Sequence, residues 1–205
     1  MSDVHGAISS LSAAQREIWL AEQRLNAENR VYRISEYTEI FGPVDPALFE
    51  RSLRQVVDEA DSLRLRFIET DDGPRQVLEP ALDWLMPVID VSEESDPFSA
   101  AQSWMDANAR SPMDLARGPL FRYALIKLRP DQFLWYQLYH HIVADVASIH
   151  LVAHRVAEIY TAHMQGVTGG LNSFVSLRDM LESDSAYNSS DQFTQDRGIL
   201  ERGAF

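Results

Sequence analysis

The sequence predicts an α/β fold (an α+β sandwich) in which helices pack on a mixed sheet. Segments with apolar residues at helical spacing alternate along the chain with β-branched and aromatic segments. N-cap and turn residues separate these segments. Apolar residues make up 45% of the 205 residues and charged residues 24%, which is ordinary for a globular protein. Interleaved helices and strands of this kind favour a layered α/β architecture.

The first quarter of the chain predicts two helices with a strand between them. Ser12 precedes a segment with helical spacing and is the predicted N-cap of the first helix. Residues 31–41 are β-branched and aromatic, which predicts a strand. Asp45 and Pro46 have the chemistry of an N-cap and a first helical residue. The apolar face of this second helix comprises Phe49, Leu53, Val56, Val57 and Ala60.

A hairpin and a third helix follow. Leu63, Leu65 and Phe67 alternate with arginines, which predicts a strand. The sequence DDGP at 71–74 predicts the turn into a second strand. Asp96 and Pro97 then mark the start of a helix over about 97–110.

The second half predicts two long strands and a long helix. The strands cover 119–128 and 132–140 and are separated by a short polar turn. The helix runs from Ser148 to about Met164, because apolar residues recur there at helical spacing.

Composition narrows the classes of partner. The net charge of −13 disfavours nucleic acid and anionic membranes as partners. The chain has no cysteine, which excludes disulfides and thiolate zinc sites. No apolar run approaches the ~20 residues of a membrane helix, and residues 1–10 lack a secretory signal. We therefore expect a cytoplasmic protein.

The most distinctive stretch is FLWYQLYHHIVADVAS, residues 133–148. A buried strand ends there in His140 and His141, and Asp145 follows in the loop before the next helix. Successive strand side chains point to opposite faces, so we expect one histidine inside and the other outside. An imidazole can exchange protons near neutral pH. The alternative is that both histidines are structural.

Three other histidines share the long helix. His150 and His154 lie four residues apart, and His163 follows. No acidic residue completes a metalloprotease-like pattern around them, so we predict surface or interface histidines and no metal site.

Five segments together resemble the condensation domains of nonribosomal peptide synthetases. They match family motifs in order and span nearly the whole chain. The segments are SAAQREIWL (12–20), EADSLRLRF (59–67), PMDLARGPLFRYALIKL (112–128), HHIVADV (140–146) and LRDMLESDSAYNSSDQFTQDR (177–197), the last of them helical in the family.

The resemblance implies one lobe of a chloramphenicol acetyltransferase-like fold. A full condensation domain is about twice this length, so residues 1–205 are similar to its N-terminal lobe, with the C-terminal lobe absent. The implied reaction is amide formation between a carrier-bound acyl or aminoacyl thioester and an aminoacyl acceptor, in peptide or siderophore biosynthesis. His141 is the implied catalytic residue. His140, Asp145 and Arg64 are the implied supporting residues, with Arg64 as the ion-pair partner of Asp145.

The resemblance also implies the partners. Donor and acceptor carrier proteins bring substrates on phosphopantetheine arms, and no cofactor is bound directly. The C-terminal lobe is a further partner. A half-domain leaves its partner-facing side uncovered, so we expect an exposed apolar surface through which isolated chains could self-associate.

The sequence departs from the family pattern at two places. Val146 stands where the motif has glycine, which would cost energy if the position needs a positive φ. Residues 59–61 read Glu-Ala-Asp where the second motif begins Arg-His-Glu. Two functions therefore remain open: an amide-forming acyltransferase lobe that needs its second half, and a non-catalytic lobe that binds a carrier protein or partner.

Overall fold

The computed structural model describes residues 6–24, 31–172, 174–190 and 192–193. They fall into two compact units, residues 1–172 and 173–205. The first unit contains β1 (Ala7–Ser10), α1 (Ala13–Glu22), β2 (Arg33–Phe41), α2 (Pro46–Glu59), a 3₁₀ helix (Asp61–Arg64), β3 (Leu65–Thr70), β4 (Gly73–Leu78), β5 (Val88–Asp90), α3 (Pro97–Arg110), β6 (Phe121–Arg129), β7 (Gln132–His140) and α4 (Val146–Met164). The described part of the second contains α5 (Leu177–Asn188). No helix among these described residues has the length and apolar character to cross a membrane.

The strands form two sheets. A four-stranded sheet has the order β2-β7-β6-β5, with β5 parallel to β6 and the other pairs antiparallel. This confirms the predicted mixed sheet and the α/β class. A three-stranded antiparallel sheet has the order β1-β4-β3.

Helices cover both faces of the four-stranded sheet, as the alternation of side chains along β7 requires. Leu134, Tyr136 and Leu138 pack with Ala101 and Met105 of α3. On the opposite face, Trp135 meets Phe49 of α2 edge to face, with ring centroids 5.4 Å apart. Phe49 in turn contacts Tyr160 of α4. The middle of β7 therefore lies between two helical layers.

The helix starts follow the predicted cap chemistry. The Ser12 hydroxyl accepts from the Gln15 amide, and the Gln15 side chain accepts from the Ser12 amide. The Asp45 carboxylate accepts from the amides of Ala47 and Leu48. Such caps satisfy amides that have no partner within the helix.

Several predicted boundaries differ from the observed ones. Leu63 lies in the 3₁₀ helix rather than in a strand, although it is buried as the alternation suggested. The hairpin turn is shorter than 71–74, because Gly73 at φ +95° already begins β4 opposite Thr70. The strands β1 and β5 were missed, since four and three residues carry little periodic signal. The helix predicted over 177–197 ends at Asn188. Positions 194–197 of that segment lie outside the described residues.

A buried ion pair ties α4 to α2. The Arg155 side chain is 2% exposed and donates through Nε and Nη2 to the two carboxylate oxygens of Glu59, at 2.7 and 3.0 Å. Nη2 also donates to the carbonyl of Gly170 beyond α4. Two charges withdrawn from water in this way are stable only as a pair.

Candidate functional site

The backbone amides of His140 and His141, at the end of β7, both donate hydrogen bonds to carbonyls of neighbouring segments. The His140 amide donates to the Leu120 carbonyl at 2.9 Å, and the His141 amide donates to the Tyr32 carbonyl at 2.7 Å. The extended backbone therefore continues through both residues, and their side chains leave the sheet in opposite directions.

The His140 ring is buried, accepts a hydrogen bond at Nδ1 and has a carboxylate close to Nε2. It is 2% exposed. Nδ1 accepts from the amide of Ile142, and Nε2 lies 3.3 Å from Oε1 of Glu22 at the end of α1. An amide can only donate, so the proton of the neutral ring is on Nε2, the nitrogen nearer Glu22. Burial, then the positive charges of Arg33 and His141, lower the pKa of His140 to about 4, which leaves the ring neutral at pH 7.

The His141 ring is exposed and held at one nitrogen. Nδ1 lies 3.0 Å from the carbonyl oxygen of Ala144. A carbonyl can only accept, so Nδ1 carries the proton of the neutral ring and Nε2 has the lone pair. Nε2 has no hydrogen-bond partner among residues 6–24 and 31–172. The expectation that one histidine is inside and the other outside is confirmed: His140 is buried and hydrogen-bonded, and His141 is accessible.

Asp145 is the N-cap of α4. Its Oδ1 accepts from the amide of Ser148 at 2.8 Å and also from the Ser148 hydroxyl. These two hydrogen bonds lower the pKa of Asp145, so its side chain is a carboxylate at neutral pH. The helix begins at Val146 rather than at Ser148 as predicted, because Asp145 caps it there.

The predicted ion pair between Asp145 and Arg64 is wrong. Arg64 Nη2 pairs instead with Asp61 at 2.7 Å, and Nη1 donates to the carbonyls of Glu79 and Pro80. The 3₁₀ helix places Asp61 three residues from Arg64, within reach of Nη2, while the buried Nε has no hydrogen-bond partner among the described residues. Asp145 is satisfied by Ser148 in the same local way.

Val146 causes no backbone strain. It is the first residue of α4, and no described non-glycine residue has a positive φ. Its side chain is 58% exposed. The cost expected for a β-branched residue at the motif glycine therefore does not arise here.

Sequence reasoning missed Glu22 and Arg33, the charged neighbours of His140. Arg33 pairs with His140 in the register of β2 and β7, and its guanidinium donates to the carbonyls of Ala109 and Ser111 at the end of α3. Register could have placed Arg33 beside His140 once β2 and β7 were paired. Glu22 lies beyond the motif in α1, and no sequence pattern indicated it.

The remaining histidines of α4 have ordinary neighbours. His154 lies 3.7 Å from Glu158, and His163 Nδ1 lies 3.0 Å from the Ser52 hydroxyl. The part of the chain that the structure describes contains no group of three or more side chains placed to hold a metal ion.

The geometry of this site supports proton transfer. One accessible imidazole presents a basic nitrogen to solvent while its other nitrogen is fixed by a backbone carbonyl. A ring held in this way can accept a proton from an amine or hydroxyl brought within about 2.6–3.2 Å.

Comparison with known proteins shows which family the chain resembles. A family model described as "Condensation domain" matches residues 7–198. The chain is 47% identical over 197 residues to a dimodular nonribosomal peptide synthase of Bacillus subtilis, covering 96% of this chain and 8% of that protein. It is 40% identical over 188 residues to an isonitrile lipopeptide synthase of Streptomyces coeruleorubidus, covering 91% of this chain and 13% of that protein.

Solved structures give the same result at the level of the fold. The starter condensation domain of rhizomide synthetase RzmA superposes with a TM-score of 0.87 at 48% identity, covering 97% of this chain and 48% of that one. The first condensation domain of the calcium-dependent antibiotic synthetase gives a TM-score of 0.86 at 33% identity, with 93% and 46% coverage. The chain therefore spans about half the length of the solved domains that it matches.

Proposed function

Because this chain belongs to the condensation-domain family, we propose that it is the N-terminal half of a domain that forms amide bonds in nonribosomal peptide biosynthesis. The donor is an acyl or aminoacyl thioester and the acceptor is an aminoacyl amine. The observation that carries the proposal is the accessible His141 ring, whose Nδ1 is held by Ala144 so that Nε2 is available as a base.

The proposed step needs one proton acceptor. The acceptor nitrogen attacks the thioester carbonyl carbon, a C–N bond forms and the C–S bond breaks. His141 Nε2 takes the proton that the nitrogen loses and returns it to the departing sulfur, which leaves as a thiol. Proton transfer by a positioned side chain contributes typically about 10²–10⁴-fold to a rate.

Condensation domains work with substrates bound to carrier proteins, and we propose the same partners for this chain. Donor and acceptor carriers would present their substrates on phosphopantetheine arms. The C-terminal half of the domain would supply the wall opposite His141. An isolated N-terminal half should therefore be inactive.

For the donor, we propose an acyl group without an amino function. A double mutant of the RzmA starter domain, 48% identical to this chain, has been solved with C8-CoA and Leu-SNAC. Another relative is a lipopeptide synthase. The completed domain should convert C8-CoA and Leu-SNAC to an acyl-leucine amide faster than it uses an aminoacyl donor, as measured by mass spectrometry. Preference for the aminoacyl donor would overturn this assignment.

The test of the function is substitution of His141 in the completed domain. The chain is joined to the C-terminal half of its own synthetase and supplied with loaded carrier proteins, and amide product is measured. His141→Ala should lower the rate about 10²–10⁴-fold. The matched control is His154→Ala, an exposed histidine on α4 that should leave the rate unchanged. An unchanged rate in His141→Ala would remove the catalytic assignment.

The second candidate function is a non-catalytic lobe that binds a carrier protein. It is favoured by one observation: residues 59–61 read Glu-Ala-Asp where the family's second motif begins Arg-His-Glu. If the completed domain binds loaded carriers but forms no amide under any donor, this second function replaces the first.

Self-association of the isolated chain remains a proposal. Several large apolar side chains of the first unit are more than half exposed: Ile8, Val31, Phe41, Leu85, Val146, Leu151, Met164, Val167 and Leu171. The described outer edge of β2 is also without a neighbouring strand, and such edges pair readily with other chains. Light scattering should show a concentration-dependent mass above 23.3 kDa. A constant monomer mass would contradict the proposal.

A further inference from the structure

We infer that Glu22 is a positioning residue for the proposed reaction: its carboxylate selects the tautomer of His140 that holds the backbone next to His141. The inference rests on the proposed function for its activity arm and on geometry alone for its spectroscopic arm. Glu22 belongs to α1, outside every motif that indicated the site.

The position of Glu22 is costly for a carboxylate. It is the last residue of α1, and no basic residue occupies the last turn. Carboxylates are disfavoured there, because the helix carbonyls make that end negative. The side chain is only 23% exposed, and burial raises the pKa of Glu22 while Arg33 opposes the rise. A charged group in an unfavourable place calls for a compensating interaction.

Arg33 supplies charge compensation for Glu22, and the carboxylate also lies close to the His140 ring. Glu22 Oε1 lies 3.3 Å from His140 Nε2. A carboxylate can only accept, so it stabilises the neutral ring that has its proton on Nε2. This tautomer leaves a lone pair on Nδ1.

The lone pair on His140 Nδ1 accepts a hydrogen bond from the loop that follows β7. It accepts from the amide of Ile142, the residue directly after His141. In the other neutral tautomer Nδ1 would carry a proton and would oppose the Ile142 amide. The His140 carbonyl also accepts from the amide of Val143 at 3.0 Å. His140 therefore holds two successive amides of the loop, and Glu22 determines whether its ring can hold the first.

The consequence reaches His141 through the peptide bond between residues 141 and 142. A shift of this peptide moves the His141 ring relative to the Ala144 carbonyl, 3.0 Å away. Misplacement of a catalytic group by a fraction of an ångström lowers the rate without weakening substrate binding.

The first arm of the test uses the 205-residue chain itself. Nitrogen-15 NMR of the imidazoles at pH 7 should show His140 with its proton on Nε2. Glu22→Gln should keep this tautomer, because the amide oxygen still accepts. Glu22→Ala and the bulkier Glu22→Met should populate the Nδ1–H form and lower the exchange protection of the Ile142 amide. Glu17→Ala, an exposed carboxylate on the same helix, is the matched control and should change neither.

The second arm uses the completed domain. Glu22→Met should lower kcat about tenfold at unchanged KM for the carrier-bound substrates, and Glu22→Gln should restore most of the rate. Equal losses in Glu22→Gln and Glu22→Met, or an unchanged His140 tautomer in Glu22→Met, would overturn the inference. If the unmodified completed domain forms no amide, the proposed function fails, and the NMR arm still decides the role of Glu22.

Discussion

His140 and His141 are adjacent in the chain, yet they belong to different regions. The His140 side is sealed: its ring is 2% exposed, Nδ1 accepts from the Ile142 amide, and Glu22 and Arg33 are its charged neighbours. The His141 side is open: its ring is exposed and is fixed at Nδ1 by one backbone carbonyl. The Arg155–Glu59 pair, which joins α4 to α2, is a second buried polar contact of this sealed kind.

This difference predicts that substitutions on the two sides have different effects, on the free energy of unfolding and on the reaction. Polar groups on the sealed side satisfy one another, so removal of one leaves a buried group without its partner. On the open side, the loop after β7 is held by local hydrogen bonds, and His141 Nε2 is left available as a base. We therefore expect substitutions on the sealed side to lower the free energy of unfolding, and substitution of His141 to affect the reaction alone.

The sharpest stability contrast lies between a buried and an exposed arginine. Arg155→Ala should lower the free energy of unfolding by about 3–5 kcal/mol, because it strands the Glu59 carboxylate. Arg178→Ala in α5, whose side chain is 85% exposed beside Glu182, should cost about 0–1 kcal/mol. Urea denaturation followed by circular dichroism measures both. A similar decrease in the free energy of unfolding in the two variants would contradict the distinction between buried and exposed ion pairs.

The pH dependence of stability tests the sealed side at His140. In the unfolded chain His140 has a pKa near 6.5, and in the folded chain it is lowered to about 4. Below pH 6.5 the unfolded state therefore binds a proton that the folded state does not. The stabilising effect is fully present above pH 6.5 and is lost as pH falls toward 4, by about 3 kcal/mol in all.

Unfolding curves at pH 7, 6, 5 and 4 check this, with His140→Gln as the variant that lacks the titration. The raised pKa of Glu22 acts in the opposite direction, so the comparison is repeated with Glu22→Gln in both proteins. Parallel profiles with and without His140 would contradict the account.

Removal of the N-cap of α4 measures how much the loop on the open side contributes to stability. Asp145→Ala should cost about 0.5–2 kcal/mol, the usual value of an N-cap. This is less than the roughly 3–5 kcal/mol expected on breaking a buried ion pair. Asp45→Ala, which removes the comparable cap of α2, should cost about the same. A loss above 3 kcal/mol for Asp145→Ala alone would indicate a partner that the structure does not show.

The smallest effect is expected at Val146. Val146→Gly should change the free energy of unfolding by less than about 1 kcal/mol, because an exposed first helical residue with negative φ gains nothing from glycine. Amide formation by the completed domain should not increase. A large rise in product with this variant would show that Val146 obstructs the site and would favour the non-catalytic function for the natural chain.

Local signals in the sequence were reliable. The caps Ser12 and Asp45 and the strand ending at His140 follow from neighbouring residues. The alternation of β7 predicted that one histidine is inside and the other outside, and the family resemblance identified His141 as the accessible one. Partners distant in the chain were not predictable. Glu59 and Arg155 are 96 positions apart, and only the packing of α2 on α4 brings them together.

The error at Arg64 has the same origin. The family resemblance paired it with Asp145, but each charge finds a partner three residues away, in Asp61 and Ser148. Glu22 was missed because a glutamate at a helix end is common on protein surfaces. Its importance depends on the tertiary contact with His140.

The most direct test of the central claim is the tautomeric state of the two histidines. Long-range nitrogen–proton NMR of the nitrogen-15-labelled chain, assigned with His140→Gln and His141→Ala, reports which nitrogen of each neutral ring carries the proton. The account predicts opposite tautomers, Nε2–H for His140 and Nδ1–H for His141. The same tautomer in both rings, or an exchange-averaged mixture at His141, would contradict it.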